Sequence, residues 1–128
     1  MIYLVTGGAR SGKSTFAESI YKDKKDVVYI ATSRIYDKEM DERVELHRKS
    51  RPECWRTFEG NYNLEQCIGN EENYLLDCIT VLTSNIMFDI TKNIEYIDYK
   101  LQGDVENKII SEIEKLIDSL KERGFNLV

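Results

Sequence analysis

Short apolar runs alternate along the chain with longer polar, helix-compatible stretches, a pattern that predicts strands alternating with helices. Ile2-Tyr3-Leu4-Val5 predicts a first strand, and the glycine-rich turn behind it opens a helix over about Ser14 to Tyr21. Val27 to Ala31, rich in β-branched residues and preceded by the polar cluster Lys22 to Asp26, predicts a second, buried strand. Asp37 to Lys49 has no breaker, many good helix formers and few apolar residues (Met40, Val44, Leu46), so it predicts a largely solvated helix. Arg51-Pro52 should end that helix, because a residue before proline is pushed towards extended backbone. Trp55 to Phe58 fits a brief edge strand, and Gly60 to Gly69 a turn-rich passage with one helical turn.

Tyr74-Leu75-Leu76-Asp77 ends an apolar run in an acid, which is how a parallel strand presents a carboxylate at its C-terminal edge. A helix over Ile79 to Ile90 follows. In the last third, Asp104 can cap an amphipathic helix carrying Val105, Ile109, Ile113, Leu116, Ile117 and Leu120, with Gly124 as its stop. Phe125 to Val128 begins another strand. Strands alternating with helices imply parallel pairing and an α/β fold.

The 128 residues, of which 41% are hydrophobic, fit one domain over residues 1–128 with one core. A net charge of −5 argues against nucleic acid as the partner, since neutralising a phosphate backbone needs a basic face, and leaves small anionic ligands open. Cys54, Cys67 and Cys78 have no C-x-x-C spacing, so buried free thiols are expected rather than a disulfide framework or a thiolate zinc site. The chain opens on a strand pattern rather than a signal peptide, and no apolar run approaches a membrane span, so a reducing cytoplasm is the expected compartment.

Gly7-Gly8-Ala9-Arg10-Ser11-Gly12-Lys13-Ser14 fits G-x-x-x-x-G-K-[ST] in the strand–loop–helix setting that a phosphate-binding loop requires. Glycines let the backbone curl around an anion, and the helix that follows adds the positive end of its dipole. Lys13 would reach the terminal phosphates of a nucleoside triphosphate, and Ser14 would offer a hydroxyl to Mg²⁺. Asp77 has two readings, a second metal ligand or the cap of the next helix, and the loop favours the metal.

His47 is the single histidine, on the polar helix with Glu39, Arg43 and Arg51 at four-residue intervals. Periodicity leaves two readings: a solvated helix laced with Glu–Arg pairs, or a face on which Arg43, Arg48, Lys49 and Arg51 bind phosphates beside a nucleophilic imidazole. A regulatory GTPase is disfavoured, because no Asp has Gly three residues later and Asn107-Lys108 is followed by Ile109-Ile110. No G-x-G-x-x-G occurs, so a dinucleotide fold is unsupported.

Taken together, Thr6 to Ser14, Tyr29-Ile30-Ala31-Thr32-Ser33, Glu39-Met40 with Arg43, His47, Arg51-Pro52, Trp55, Thr57 and Glu59, and Leu75 to Thr80 closely resemble the bifunctional adenosylcobinamide kinase/adenosylcobinamide-phosphate guanylyltransferases of cobalamin synthesis. The resemblance runs from Ile2 to about Phe88 and is looser over Lys92 to Leu101. It implies a recombinase-like phosphate-loop fold with a mostly parallel sheet, a homotrimer, and ATP or GTP as substrate with Mg²⁺. It further implies phosphorylation of adenosylcobinamide, then GMP transfer from GTP to adenosylcobinamide phosphate through a guanylyl-histidine that maps onto His47. Lys13 then assists catalysis, residues 7–14 with Glu59 hold nucleotide, Arg43 and Arg51 hold the nucleotide phosphates or form the arm that brings His47 inward, and Ser14 and Asp77 hold the metal. Members of that family continue past the position of Val128 with a further strand, a Ser-Asn-Glu-type block and more helix and strand. The chain is therefore expected to be C-terminally incomplete relative to the family. A nucleotide-binding module without turnover and a phosphotransferase for another small molecule are the competing readings.

Overall fold

The side chains of the central strand alternate between two apolar clusters, and that alternation requires cover on both faces of the sheet. In the computed structural model, which describes residues 1–128, β1 (Val27–Ala31) sends Val28 and Ile30 to one face and Val27 and Tyr29 to the other. It lies between β2 (Arg56–Glu59) and β3 (Asn73–Asp77), and β4 (Asn126–Leu127) follows on the far side of β3, giving the order β2-β1-β3-β4 with every pair parallel. Helix α1 (Lys13–Ile20) covers one face, where Ala17 and Ile20 pack on Tyr21, Val27, Tyr29 and Leu75. Helices α3 (Ile79–Thr91) and α4 (Tyr99–Arg123) cover the other through Leu82, Ile86, Leu116 and Leu120, joined by Leu64 and Cys67 of a single 3₁₀ turn. The α/β class and parallel pairing expected from the alternation are what the chain adopts.

Local chemistry sets most of the boundaries. Asp37 caps α2 (Lys38–Ser50) by accepting from the Met40 amide at 2.8 Å. Arg51 then turns to extended backbone, φ −90° and ψ 151°, as the residue before Pro52 must. Trp55 is buried and donates its indole N–H to the Lys24 carbonyl at 2.9 Å, anchoring the start of the β2 edge.

Three expectations are corrected. Ile2 to Val5 forms only one parallel bridge, Ile2 to Leu127, with the Tyr3 amide donating to the Leu127 carbonyl at 2.8 Å. Ile2, Tyr3 and Leu4 are exposed, because the segment lies outside β4 and nothing in residues 1–128 flanks its other edge. Helix α4 begins at Tyr99 rather than after Asp104, capped by Asp98, whose carboxylate accepts from the Leu101 amide at 2.8 Å. Gly103 inside that helix costs about 1 kcal/mol against alanine, which burial of Val105, Leu116 and Leu120 along the same helix outweighs. Of the cysteines, Cys67 is buried, but Cys54 is exposed. No helix is long and apolar enough to cross a membrane.

Leu116 is fully buried between α4 and the sheet. Leu116→Ala should lower unfolding stability by about 2–5 kcal/mol, and Asp98→Ala by about 1 kcal/mol through the lost cap. Urea titration followed by circular dichroism measures both, and a loss at Leu116 no larger than at Asp98 would contradict the assigned core.

Candidate active site

The parallel register brings three strand ends together. Ala31 at the end of β1 stands between Glu59 of β2 and Asp77 of β3. Its methyl group leaves room above the sheet edge, and a cleft of about 690 Å³ opens there, lined among others by Ser14, Tyr29, His47, Arg51 and Asp77. This is the crevice beyond the carboxyl ends of the strands, where open α/β sheets bind ligands.

Asp77 is the most constrained acid in the cleft. Ser14 Oγ of α1 donates to its Oδ1 at 3.4 Å, and the Tyr29 hydroxyl donates to its Oδ2. Burial, with Asp77 alongside, pushes the Tyr29 phenol far above its ordinary value, which keeps it a donor. From behind, the buried Thr32 hydroxyl lies 3.2 Å from the Asp77 carbonyl and accepts from the Cys78 amide at 2.9 Å. Asp77 does not cap α3. The cap residue is Cys78, and it makes no side-chain capping bond.

The phosphate loop is shaped by backbone. Gly12 adopts φ 87°, a left-handed conformation that admits glycine without steric cost, immediately before α1 begins. At Gly7 a β-carbon would stand 2.8 Å from Ser11 Oγ, so a side chain there would displace the Ser11 hydroxyl from its place over the loop. Gly8, Ala9, Arg10 and Ser11 are exposed, with Arg10 also at positive φ, 54°. No side chain caps α1, so its leading N–H groups have no side-chain acceptor, the arrangement that favours an anion. Lys13 folds back over the loop, donating from Nζ to the Gly8 carbonyl at 2.6 Å.

Helix α2 forms the opposite wall and contains no buried residue, as its polar sequence predicted. His47 and Arg48 both line the cleft. Arg48 donates to Glu59 across the cleft and to Glu45 on its own helix at 3.2 Å. The Arg51 guanidinium lies over the Tyr29 ring, 3.6 Å from its centroid. Arg43 is apart from this group: it pairs with Glu39 at 2.9 Å, both side chains mostly exposed, outside the cleft lining. Arg43 stands one turn nearer the start of the helix than His47, and its guanidinium is taken by Glu39 rather than by the cleft. Ser14, His47, Arg51, Glu59 and Asp77 are thus gathered, and Arg43 is not.

Sequence reading missed Tyr29, Glu18, Thr32 and Arg34. Tyr29 carried a signal, a polar-tipped residue two places before the end of an otherwise aliphatic strand. Glu18 lies four residues after Ser14 and so one turn further along the same face of α1. One of its oxygens is buried without a hydrogen-bond partner. Burial raises its carboxyl above the ordinary value, opposed first by Arg51 and then by His47. Arg34 forms a bidentate pair with Asp89 of α3, both bonds at 2.7 Å, and the Tyr62 hydroxyl adds a third at 2.8 Å. This clamp fixes the loop after β1 at the cleft rim.

The donors fit a hard cation. A serine hydroxyl and a carboxylate within hydrogen-bonding reach are the two protein oxygens a nucleotide-bound Mg²⁺ commonly takes, the remaining positions going to phosphates and water. No group of three or more His, Cys, Asp or Glu side chains gathers as an all-protein metal cage, and a phosphate-borne ion does not need one.

Residues 3–128 match the family of cobinamide kinases / cobinamide phosphate guanyltransferases, and the chain belongs to that family. It is 44% identical over 121 residues to the bifunctional adenosylcobalamin biosynthesis protein CobU of Escherichia coli, covering 91% of this chain and 66% of that protein. The protein of the same description from Salmonella typhimurium is 42% identical over 123 residues with the same shares. The bifunctional adenosylcobalamin biosynthesis protein CobP of Pseudomonas aeruginosa is 39% identical over 89 residues, 66% of this chain and 51% of that one. The chain therefore spans 66% of the length of the first two relatives.

Asp89 governs acid stability at the cleft rim. The Arg34 guanidinium, then the Tyr62 hydroxyl, hold its carboxyl down to about 2 from the ordinary 3.8. A depressed native value means that the clamp stabilises the fold above the unfolded value and is lost as pH falls through the native one. Stability should therefore drop between about pH 4 and pH 2, and Asp89→Asn should flatten that limb. Urea unfolding across this range measures it, and an unchanged acid limb in the variant would contradict the clamp.

Proposed function

We propose that this member of the family uses the phosphate loop to seat a nucleoside triphosphate and His47 to accept GMP from it. In this reading the protein phosphorylates the aminopropanol hydroxyl of adenosylcobinamide with ATP or GTP, then transfers GMP from GTP to adenosylcobinamide phosphate. The observation that carries the reading is that the single histidine lines the same cleft as Ser14 and Asp77, at the strand ends beside the loop. The names of the relatives support it, since each is described as bifunctional in adenosylcobalamin biosynthesis.

The chemistry divides among named residues. Loop residues 7–14 hold the triphosphate through backbone N–H groups, and Lys13 exchanges its Gly8 acceptor for phosphate oxygens. Ser14 and Asp77 hold Mg²⁺, which when bound offsets charge on the phosphoryl oxygens. For guanylyl transfer, a neutral ring nitrogen of His47 attacks the α-phosphorus. The P–N bond forms as the bond to pyrophosphate breaks, and the imidazolium loses its ring proton to solvent. A phosphate oxygen of the acceptor then attacks the same phosphorus, the ring takes a proton back from solvent as P–N breaks, and neutral imidazole is returned. Two displacements thus replace one difficult substitution of phosphate on phosphate, with Arg48 supplying positive charge to the α-phosphate side of the cleft and Arg51 belonging to the arm that carries His47. Glu59 anchors Arg48 and faces the nucleotide. Arg43 has no cleft contact to support a phosphate role and is assigned to the outer surface of the arm. A homotrimer in the cytoplasm completes the reading on family resemblance.

A second reading, a nucleotide-binding module without turnover, draws on the 66% share of the relatives' length that the chain spans. Intact-mass analysis after incubation with GTP and Mg²⁺ separates the two. Catalysis predicts a GMP-sized, acid-labile adduct that is absent in His47→Ala. Lys13→Ala should reduce its rate of formation by at least about 100-fold, because charge compensation at the transferring phosphates is lost. Nucleotide binding without an adduct would overturn the proposal in favour of the module.

A further inference from the structure

Helix α2 carries the proposed nucleophile yet buries no side chain, so no hydrophobic core fixes where His47 stands. Two polar tethers remain: the Arg48–Glu59 ion pair and the stacking of Arg51 on Tyr29. The first joins two largely exposed side chains, and such pairs contribute little because solvent screens them. The second is different in kind. Tyr29 is buried within the cluster of Val27, Trp55 and Leu75, its ring cannot drift, and its hydroxyl is spent on Asp77. Arg51 makes no ion pair with any acid within 4.0 Å, so its guanidinium is held by the ring face. Glu18 brings an unpartnered, buried carboxylate oxygen to the same corner from α1, where Arg51 is the strongest opposing charge that it meets.

We propose that the Tyr29 ring is a dock for Arg51, with the Glu18 carboxylate acting on it from longer range, and that this dock positions the His47 helix against the cleft. Because Tyr29 also donates to Asp77, one rigid side chain references both the nucleophile's helix and the proposed metal-binding acid to the same strand. Tyr29 and Glu18 are positioning residues that act through Arg51. Their effect on guanylyl transfer rests on the function proposed above, whereas the dock itself does not.

Hydrogen exchange across residues 38–51 of the nucleotide-free chain tests the dock without any chemistry. Tyr29→Leu removes the ring and should speed exchange of the C-terminal turns of α2 about tenfold, the change expected for loss of a partly desolvated cation–π contact. Tyr29→Phe keeps the ring and should exchange as the unaltered chain does. Glu18→Gln should speed exchange to a smaller extent. Because Tyr29 is a core residue, Arg51→Ala removes the same contact from its exposed side, and it should reproduce the Tyr29→Leu result while α4 and β3 keep their protection. Unchanged α2 exchange in Arg51→Ala would overturn the dock, as would Tyr29→Phe exchanging as fast as Tyr29→Leu. The parallel readout is the rate of the His47 adduct, which should fall in Arg51→Ala while binding of a fluorescent GTP analogue persists. Exchange behaving as stated with no adduct in the unaltered chain would sink the functional reading and leave the dock standing. An adduct forming at the same rate in Arg51→Ala, with exchange unmoved, would sink the dock alone.

Discussion

The hydrogen bonds that converge on the Asp77 carboxylate fix the geometry on which the cleft depends. Ser14 reaches it from the first turn of α1, Tyr29 from β1, and Thr32 braces the backbone behind it. The phosphate loop, the central strand and the acid-bearing strand are thereby tied at one point, although β4 lies between the N-terminal segment and β3. A half-buried carboxylate with these partners is costly to leave unpaired, which makes the junction rigid. That rigidity is what lets a loop of exposed residues present a defined anion site.

Opposite this fixed corner stands a wall of another character. The strands and α1, α3 and α4 are held by two apolar clusters, whereas α2 is placed by caps and charge. Asp37 starts it, the proline constraint on Arg51 ends it, and polar contacts orient it. A reacting side chain carried on such a helix can approach and leave a ligand without disturbing the core, which suits a nucleophile that must meet a donor and then an acceptor. The same arrangement makes reactivity depend on a few exposed or half-buried groups rather than on packing.

Much of this could be read from the residues. The strand at Val27 to Ala31, the acid at the end of β3, the solvated helix with its proline stop and the glycine loop each follow from local rules of composition, capping and periodicity. The departures occur where a distant part of the chain decides. Ile2 to Val5 has a strand's sequence but finds only the end of β4 to pair with. Asp98 outcompetes Asp104 as the cap of α4 because later turns of that helix are buried. Arg43 shares the spacing of His47, but it stands one turn further from the cleft and pairs with Glu39 instead. Tyr29 carried only the signal of a polar tip in an aliphatic strand and Glu18 none, because what the sheet register and α1 bring beside them is encoded by no spacing along the chain.

In the proposed reaction the His47 ring meets a triphosphate seated in the loop across the 690 Å³ cleft. A crystal structure of the chain with Mg²⁺ and a GTP analogue whose α,β-bridging oxygen is replaced by methylene tests it most directly. The phosphates are expected over residues 7–14, with a ring nitrogen of His47 about 3–3.5 Å from the α-phosphorus and in line with the bridging carbon. Triphosphate bound in the loop with the imidazole turned out to solvent, and another side chain in line with that phosphorus, would contradict it.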